Sequence, residues 1–368
     1  MTDMPIMPHP TSLPTLCLLQ ETLEKPPDLQ TCWQQRERLP AFVCQSATIM
    51  RCLELLAPLR WASLPERDLQ RNWGQTTVPY AAFIAAELLR LNEGLHSAGD
   101  LHQFLKEHEG FIWLLNFPLQ PDGQRPVGFN ALASLPTARH FTRMQRQMSN
   151  AVLQCVLADS VQLILHELRA RGVTRMDCVS LDTKHILAWV KENNPKTYVT
   201  DRFNKDKQPA ADPDCRLGCK RRHNQMRLST TPTRNPIAAH RVAVGEYYWG
   251  YGSGIIVTKV PHWGEFVIAE RTQPFDQADV TYFFPLMRQV EQRLGYRPRI
   301  GAFDAAFDAW YVHAYFYDEN DPSCFAAVPF SAKGGYKANG RQFSPAGLPI
   351  CAAGLPMPLQ FTYTDRTL

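Results

Sequence analysis

The sequence predicts a mixed α/β fold class, in which an all-α domain precedes an α/β domain. Helical periodicity dominates before residue 172, and short β-type runs alternate with helices after it. The length of 368 residues also exceeds what one hydrophobic core usually fills. We therefore predict an extended lead-in over 1–43, a helical domain over 44–172, an α/β domain over 173–330, and the start of an incomplete region over 331–368.

The helical domain is predicted from five segments, four of which are ordinary core-packing helices. Residues 44–59 carry apolar side chains at helical spacing, and residues 79–92 are rich in Ala and Leu and apolar around most of the helix. Ser97 is placed to cap a helix over 100–108. Residues 150–171 form the strongest predicted helix of the chain.

A helix predicted over 138–148 has two chemically different faces. Its apolar stripe contains Phe141, Met144 and Met148, and Ser134 is placed to cap it. The arginines fall on another face at i, i+4 and i+7, and they are Arg139, Arg143 and Arg146. This face fits either a solvated helix surface or a helix that lies on DNA, where arginines pair with phosphates.

Positive charge is concentrated in one segment of the α/β domain. The whole chain carries +4, whereas residues 184–227 contain eleven Lys or Arg and five Asp or Glu, so this segment carries +6 and the rest −2. Residues 191–241 are polar and proline-rich, which predicts a basic insertion that is flexible unless a partner orders it. The candidate phosphate contacts within it are Arg216, Lys220, Arg221 and Arg222.

The same insertion contains a candidate zinc site. Cys215, Cys219 and His223 are spaced i, i+4, i+8 and would align on a helix, but three ligands at this spacing match no common closed zinc site. They are otherwise polar residues of a basic arm.

The sequence carries no membrane or export signal. No run of about eighteen apolar residues is present, and no basic region precedes the apolar residues of the N-terminus. We therefore expect a cytoplasmic protein without a membrane partner, and the ten cysteines are expected to be reduced.

Two aspartates follow predicted strands of the α/β domain. Asp182 follows the strand run 179–181, and Asp304 follows the run 299–303. A carboxylate at the tip of a buried strand is costly unless a metal or hydrogen bonds hold it. If these strands are neighbours, the two carboxylates converge at one sheet edge and can hold Mg²⁺. The alternative is a turn residue or a helix cap, and Asp304 could cap a helix over 305–317.

Several motifs in this order resemble those of bacterial insertion-sequence transposases with a DDE, ribonuclease-H-like catalytic domain. They are SLDTKHILAW (180–189), WGYGSGIIVTK (249–259), EFVIAERTQPFDQAD (265–279) and RIGAFDAAFDAW (299–310). The segments VPYAAFIAAELLRLNEG (78–94) and SLPTARHFTRMQRQM (134–148) are similar to the InsH-like N-terminal domain of these enzymes.

The resemblance implies a metal-dependent DNA transposition activity. Asp182 matches the first acid of the triad and Asp304 the second, with Asp308 as a trailing acid. The implied cofactor is Mg²⁺, with Mn²⁺ as an alternative. The implied partners are double-stranded DNA at the element ends and at the target, and further copies of this chain. The implied location is the nucleoid of a bacterial cytoplasm.

The third acid of such a triad is a Glu on a later helix. Glu319 is the Glu that follows Asp304 in this sequence, and it lies beside an Asn-Asp-Pro turn only fifteen residues on. We therefore expect a C-terminally truncated chain that is catalytically incomplete. The alternatives are a non-catalytic DNA-binding derivative of a transposase, or a metal-dependent nuclease that completes its site with Glu319 or Asp308.

Overall fold

The structure is a computed structural model that describes residues 25–69, 77–228, 241–329, 342–346, 348–350 and 354–358. Over 221–228 and 241–245, and at residue 342, it describes the backbone alone. The chain divides into two compact units, residues 1–174 and 175–368. The first is helical and the second contains a mixed sheet with helices, which confirms the predicted fold class.

Unit 1 is built from helices joined by short connections. The described α-helices are α1 (Leu29–Gln34), α2 (Ala41–Cys44), α3 (Ala47–Leu56), α4 (Tyr80–Asn92), α5 (Ala98–Glu107), α6 (Gly110–Leu114), α7 (Ala131–Ser134), α8 (Ala138–Gln147) and α9 (Asn150–Ala170). Short 3₁₀ helices cover Arg36–Arg38 and Trp61–Ser63. Helix α4 is the central helix that its composition predicts, because its Ala82–Ala86 stretch is buried throughout.

The predicted extended lead-in is wrong over its described part. Residues 28–44 fold into α1, a 3₁₀ turn and α2, and their apolar side chains enter the core of unit 1. Asp28 caps α1 by accepting the Thr31 backbone N–H at 3.0 Å, and Cys32 and Val43 are fully buried. Burial against α3 therefore overrides the weak local pattern of this segment.

One predicted helix cap of unit 1 is confirmed and one is wrong. Ser97 and Asp100 form a capping box at the start of α5, with each side chain bonded to the other's backbone N–H. Ser134 does not cap α8, because it is buried at the end of α7, where its hydroxyl donates to the Asn130 carbonyl. Thr137 precedes α8 instead, without a side-chain cap bond.

Helix α9 is long and apolar enough to cross a membrane when it is judged by length and composition alone. It is the helix of the described ranges that passes this test. Its Asp159 is buried and forms an ion pair with Arg60 of the same unit. Such pairing is common for a helix that packs within a protein. Gly172, at φ +84°, ends the helix in the left-handed conformation that favours glycine.

Unit 2 contains a six-stranded mixed sheet. Its strands are β1 (Cys178–Leu187), β2 (Arg216–Leu228), β3 (Arg241–Val260), β4 (Gly264–Pro274), β5 (Ile300–Phe303) and β6 (Phe325–Ala327). Strand β3 pairs antiparallel with β1 along one edge and with β2 and then β4 along the other. Strand β5 is parallel to both β1 and β6. Two short strands, β7 (Gln342–Phe343) and β8 (Pro349–Ile350), pair separately.

Two helices pack on the sheet of unit 2. Helix α10 (Phe283–Leu294) follows a 3₁₀ turn at Asp279–Tyr282, and helix α11 (Trp310–Phe316) follows a 3₁₀ turn at Ala305–Phe307. The helix predicted over 305–317 is therefore broken, because Ala309 is extended between the two pieces. The hairpin between β3 and β4 forms at the predicted place, with His262 at φ +68° in its turn.

The basic insertion is not the unstructured segment that its composition predicts. Within 191–228 it contains a 3₁₀ turn at Lys191–Asn193 and the whole of β2. A small core of its own, with Trp249 1% exposed at its centre, holds it against β3, and the other members are Ala188, Val190, Cys215 and Leu217. The sequence pattern misses this core because its members are scattered along the chain.

Candidate active site

Asp182 and Asp304 are neighbours at the carboxyl end of the parallel pairing between β1 and β5. The pairing of β1 with β5 ends at Leu181 and Phe303, and the two aspartates are the next residue on each strand. Paired residues on neighbouring strands are separated by about 4.8 Å. Strands β1 and β5 are therefore neighbours, which is the condition under which the two carboxylates were expected to converge.

Both aspartates belong to the same face of the sheet. Side chains alternate along β1, so Asp182 shares a face with Ser180, whereas Leu181 is directed to the opposite face and buried. On β5, Phe303 is buried in the same way and packs 5.8 Å from Phe283 of α10. The helices therefore cover the apolar face, and both carboxylates are exposed on the other.

The sequence predicts Asp182 as a carboxylate at the tip of a buried strand, and its exposure shows that this prediction is wrong. Asp182 is not a desolvated carboxylate at a strand tip, because β1 continues for five residues beyond it to Leu187. It is held instead by a local hydrogen bond, in which its Oδ1 accepts the Thr183 backbone N–H at 2.7 Å.

Asp304 is held in the same way. Its Oδ1 accepts the Ala306 backbone N–H at 2.9 Å, so it caps the 3₁₀ turn at Ala305–Phe307, as the alternative interpretation expected. Capping and metal binding are compatible, because in both aspartates Oδ2 has no hydrogen-bond partner among the residues that the structure describes. Each carboxylate therefore keeps one oxygen for a ligand.

A further carboxylate, Asp279, contacts β1 on the face opposite to Asp182, since its partner Thr183 alternates with Asp182 along the strand. It begins the 3₁₀ turn before α10, and its Oδ1 accepts the Thr183 hydroxyl at 3.1 Å. It ends the motif at 265–279, and no local pattern of the sequence indicates its contact with β1, because that contact depends on the strand order.

His185 lies within electrostatic range of this edge. It is half-buried, and its ring packs 4.3 Å from the Phe275 ring. Burial lowers the pKa of His185, and Lys220 lowers it further, whereas Asp279 and Asp182 raise it. Because burial is the largest influence, the imidazole is held towards its neutral form.

Glu319 lies at the opposite edge of the sheet. It is exposed in the turn between α11 and β6, and β6 starts level with the first residue of β5, Ile300. In the same turn, Asp321 approaches the Arg299 guanidinium within 3.5 Å, and Arg299 directly precedes β5. The length of β5 therefore separates Glu319 from Asp304, about 13 Å at the usual rise per residue. This placement gives no support to the alternative in which Glu319 serves as a metal ligand or nuclease acid.

Asp308, the trailing acid, is directed towards a histidine. It ends the 3₁₀ turn that Asp304 caps, and its Oδ1 lies 3.5 Å from Nε2 of His313 in α11. Its carboxylate is therefore engaged within the α11 region.

The predicted DNA-contacting arginines of unit 1 lie on a separate face of α8. Phe141 and Met144 are buried, as predicted, and the three arginines Arg139, Arg143 and Arg146 are exposed. None of these arginines forms an ion pair within the described ranges, although Arg143 contacts the His140 ring nitrogen at 2.6 Å. A cationic face is therefore available on this unit.

The candidate phosphate contacts of the insertion differ in exposure and in the bonds that their side chains already form. Arg216 is exposed, but its guanidinium donates to the Gln208 side chain and to the Pro213 carbonyl, so it also stabilises the insertion. Lys220 is exposed on β2. The side chains of Arg221 and Arg222 lie outside the described residues.

The zinc hypothesis fails on its geometry. Cys219 and His223 belong to β2 and Cys215 directly precedes it, so the spacing that would align them on a helix falls on a strand. Four residues of strand span about 13 Å, too far for two ligands of one ion. Burial also raises the pKa of the Cys215 thiol to about 11, which disfavours the thiolate. The His223 side chain is outside the described part.

Across the described residues, no three His, Cys, Asp or Glu side chains are grouped closely enough to hold a metal ion. Within these residues, Asp182 and Asp304 are a pair of neighbouring carboxylates without a third such side chain.

Comparisons with known proteins add little to this geometry. No protein-family model matches the chain, and no curated protein matches it. Among solved structures, the Mos1 transposase paired-end complex with left transposon end is similar at 13% identity, over 83% of this chain and 76% of that chain, with a TM-score of 0.20. A TM-score this low carries no conclusion about fold or function.

Proposed function

We propose that this chain is a DNA transposase of the DDE type, which cleaves DNA strands at element ends and joins them to a target with the help of Mg²⁺ or Mn²⁺. One observation carries the proposal. The parallel pairing of β1 and β5 ends at Leu181 and Phe303, so that Asp182 and Asp304 follow as neighbours on one exposed sheet face. Paired carboxylates of this kind suit the binding of a hard divalent cation.

The residues present fit such an ion. Asp182 and Asp304 would hold it through the carboxylate oxygens that their backbone hydrogen bonds leave open. When bound, the ion supplies charge stabilisation for the attacking and leaving oxygens of a phosphodiester displacement. The chain itself fixes the two carboxylates, through the N–H groups of Thr183 and Ala306.

Asp279 is not assigned to this site. Its bond to the Thr183 hydroxyl places it on the face of β1 opposite to Asp182, because side chains alternate along a strand. Among the described residues, the proposed site therefore consists of Asp182 and Asp304.

Two cationic surfaces support DNA as the substrate. In unit 2, the segment 184–227 carries a net +6, and Lys220 on β2 is exposed. In unit 1, the face of α8 adds three exposed arginines. Such surfaces bind the phosphates of either strand without regard to sequence.

The test is metal-dependent nicking of duplex DNA by the full chain and by charge-removing variants. Asp182→Asn and Asp304→Asn should each lower the nicking rate at least about 100-fold, because each weakens an interaction worth several kcal/mol in the transition state. Glu319→Gln is the matched control, since it removes a carboxylate at the far edge of the sheet and should leave the rate unchanged.

Two outcomes would contradict this proposal. If both asparagine variants nick DNA like the parent, Asp182 and Asp304 are not the metal-binding acids. If the parent binds duplex DNA but never nicks it with Mg²⁺ or Mn²⁺, the chain is a DNA-binding derivative without catalysis. The absence of a closed metal cluster within the described ranges keeps that second function as the alternative.

A further inference from the structure

Two aromatic side chains of the basic insertion are almost completely exposed. Trp189 is 99% exposed and Tyr198 is 90% exposed, the highest values among the large apolar side chains of the described chain. An aromatic ring left wholly in water forgoes a large amount of apolar burial. Isolated exposed apolar residues are common, so these two gain meaning only from their surroundings.

The backbone beneath Trp189 is rigidly held. Its neighbours Ala188 and Val190 are buried in the small core of the insertion, and Trp189 lies between them. The Asn193 amide donates to the carbonyls of Ala188 and Trp249 at 2.8 and 2.7 Å, and Asn193 also accepts the Trp249 N–H at 2.9 Å. The exposure of Trp189 is therefore imposed by a structured segment.

The same framework extends to the second aromatic residue. The Trp249 indole N–H donates to the Arg202 carbonyl at 2.7 Å, and the Arg202 guanidinium donates to the carbonyls of Asn194 and Thr197. Tyr198 directly follows Thr197, so its backbone is attached to the same core.

Lysines lie between these two aromatic residues and after the second one along the chain. Lys191, Lys196 and Lys205 are exposed, and none of them forms an ion pair with a residue that the structure describes. Lys207 differs, because it pairs with Asp201 at 2.8 Å. The segment therefore offers unpaired ammonium groups and free aromatic faces together.

We infer that residues 188–207 bind single-stranded DNA, with Trp189 and Tyr198 stacking on unpaired bases and the three lysines contacting its phosphates. Base faces are free for stacking only where a strand is unpaired, whereas phosphates are available on any DNA. The combination of a cationic track with aromatic platforms therefore favours a single strand over a duplex. This inference rests on the proposed function and names the form of DNA that the site handles.

The test is the affinity of the full chain for a fluorescein-labelled oligothymidylate of roughly 20 nucleotides, which has no internal pairing, compared with a duplex of mixed sequence. Trp189→Ala and Tyr198→Ala should each weaken oligothymidylate binding by at least about 5-fold, and the affinity for the duplex should change less than about 2-fold. Trp189→Phe and Tyr198→Phe should retain most of the affinity, since each keeps a π-face.

Two further readouts separate stacking from charge and from damage to the fold. The slope of log affinity against log salt should stay unchanged in the alanine variants, because an aromatic side chain releases no counterions. Tyr317→Ala is the matched control: Tyr317 is 65% exposed, follows α11 and precedes the turn at the far edge of the sheet. It should bind oligothymidylate like the parent.

The inference is overturned if Trp189→Ala and Tyr198→Ala bind oligothymidylate as the parent does. It is also overturned if they change the oligomeric state while DNA affinity is unaltered, because the aromatic residues then form a protein interface. Its failure can be told from that of the proposed function. Nicking that depends on Asp182 tests the catalytic site, whereas oligothymidylate binding that depends on Trp189 tests the insertion, and either can fail alone.

Discussion

At the scale of single residues, position within a strand decides what each acid of unit 2 can do. Asp182 and Asp304 are neighbours because each directly follows the last pair of the β1–β5 ladder. Asp279 reaches the opposite face of β1 through the turn before α10, whereas Glu319 follows α11, next to the strand β6 that starts level with the first residue of β5. Proximity in the sequence is therefore a poor guide to proximity at the site.

His185 gives a prediction on pH. Burial, aided by Lys220, lowers its pKa in the folded protein below the unfolded value of about 6.5. The unfolded chain therefore binds more protons as the pH falls, and the stabilisation present above about pH 6.5 is lost as the pH falls through the folded pKa. Urea unfolding between about pH 7.5 and 5 should show the parent losing free energy of unfolding more steeply than His185→Gln.

A suitable control for this experiment is His96→Gln, which removes an exposed imidazole from unit 1. Its pH profile should follow that of the parent. If His185→Gln loses stability with falling pH as steeply as the parent, the half-buried imidazole does not contribute to the acid sensitivity.

At the scale of elements, close packing of α10 on β3 depends on glycine. Gly252 and Gly254 lie against Tyr282, which is 2% exposed at the end of the 3₁₀ turn before α10. A Cβ at residue 252 would overlap the Tyr282 hydroxyl, and the next ring atom, Cζ, would be at 3.4 Å. Gly252 and Gly254 are therefore required by the Tyr282 ring that packs against them.

Gly252→Ala is expected to destabilise the protein by about 1–3 kcal/mol, because the buried Tyr282 ring has little room to move. Tyr282→Phe removes the overlapping oxygen and should recover part of the loss, so the two changes should couple in a double-mutant cycle. Chemical denaturation of the four proteins measures the coupling.

Gly99→Ala is the contrasting variant. Gly99 lies in the first turn of α5, and its added Cβ would lie 3.4 Å from the Ser97 hydroxyl, an ordinary contact. Helix propensity favours alanine there, so stability should stay equal or rise.

The double-mutant cycle has its own contradicting outcome. If the effects of Gly252→Ala and Tyr282→Phe on the free energy of unfolding are additive, the Tyr282 hydroxyl is not what the new Cβ overlaps.

At the scale of the whole molecule, the distribution of charge matters more than its total. A net charge of +4 alone does not identify a partner, but residues 184–227 carry +6 and the exposed face of α8 adds arginines in the other unit. Each unit therefore carries its own concentration of positive charge, which the proposed function assigns to phosphate contact.

The salt dependence of duplex binding measures how many of these contacts form. Replacing Arg139, Arg143 and Arg146 together by Gln should reduce the slope of log affinity against log salt by up to about 3, since each phosphate contact contributes roughly 0.9. Arg171→Gln is the matched control, because Arg171 in the same unit is paired with Glu167. A slope unchanged by the triple replacement would place α8 outside the DNA interface.

The sequence by itself determined the features that depend on local patterns. It predicted α3, α4, α5, α8 and α9 of unit 1, the strand–acid positions of Asp182 and Asp304, the β3–β4 hairpin and the segment that holds the positive charge. These follow from periodicity and turn chemistry over a few residues, where the local preference and the folded state agree.

Only the tertiary structure decided which of these features meet. The β1–β5 register joins residues more than one hundred positions apart, the bond from Thr183 to Asp279 joins two elements, and the core around Trp249 gathers scattered members of the insertion. The same long-range packing carries Glu319 away from the site and buries the residues of α1 and α2. The physical reason is that strand pairing and core burial are settled by side chains that are distant in the sequence, so no local window contains them.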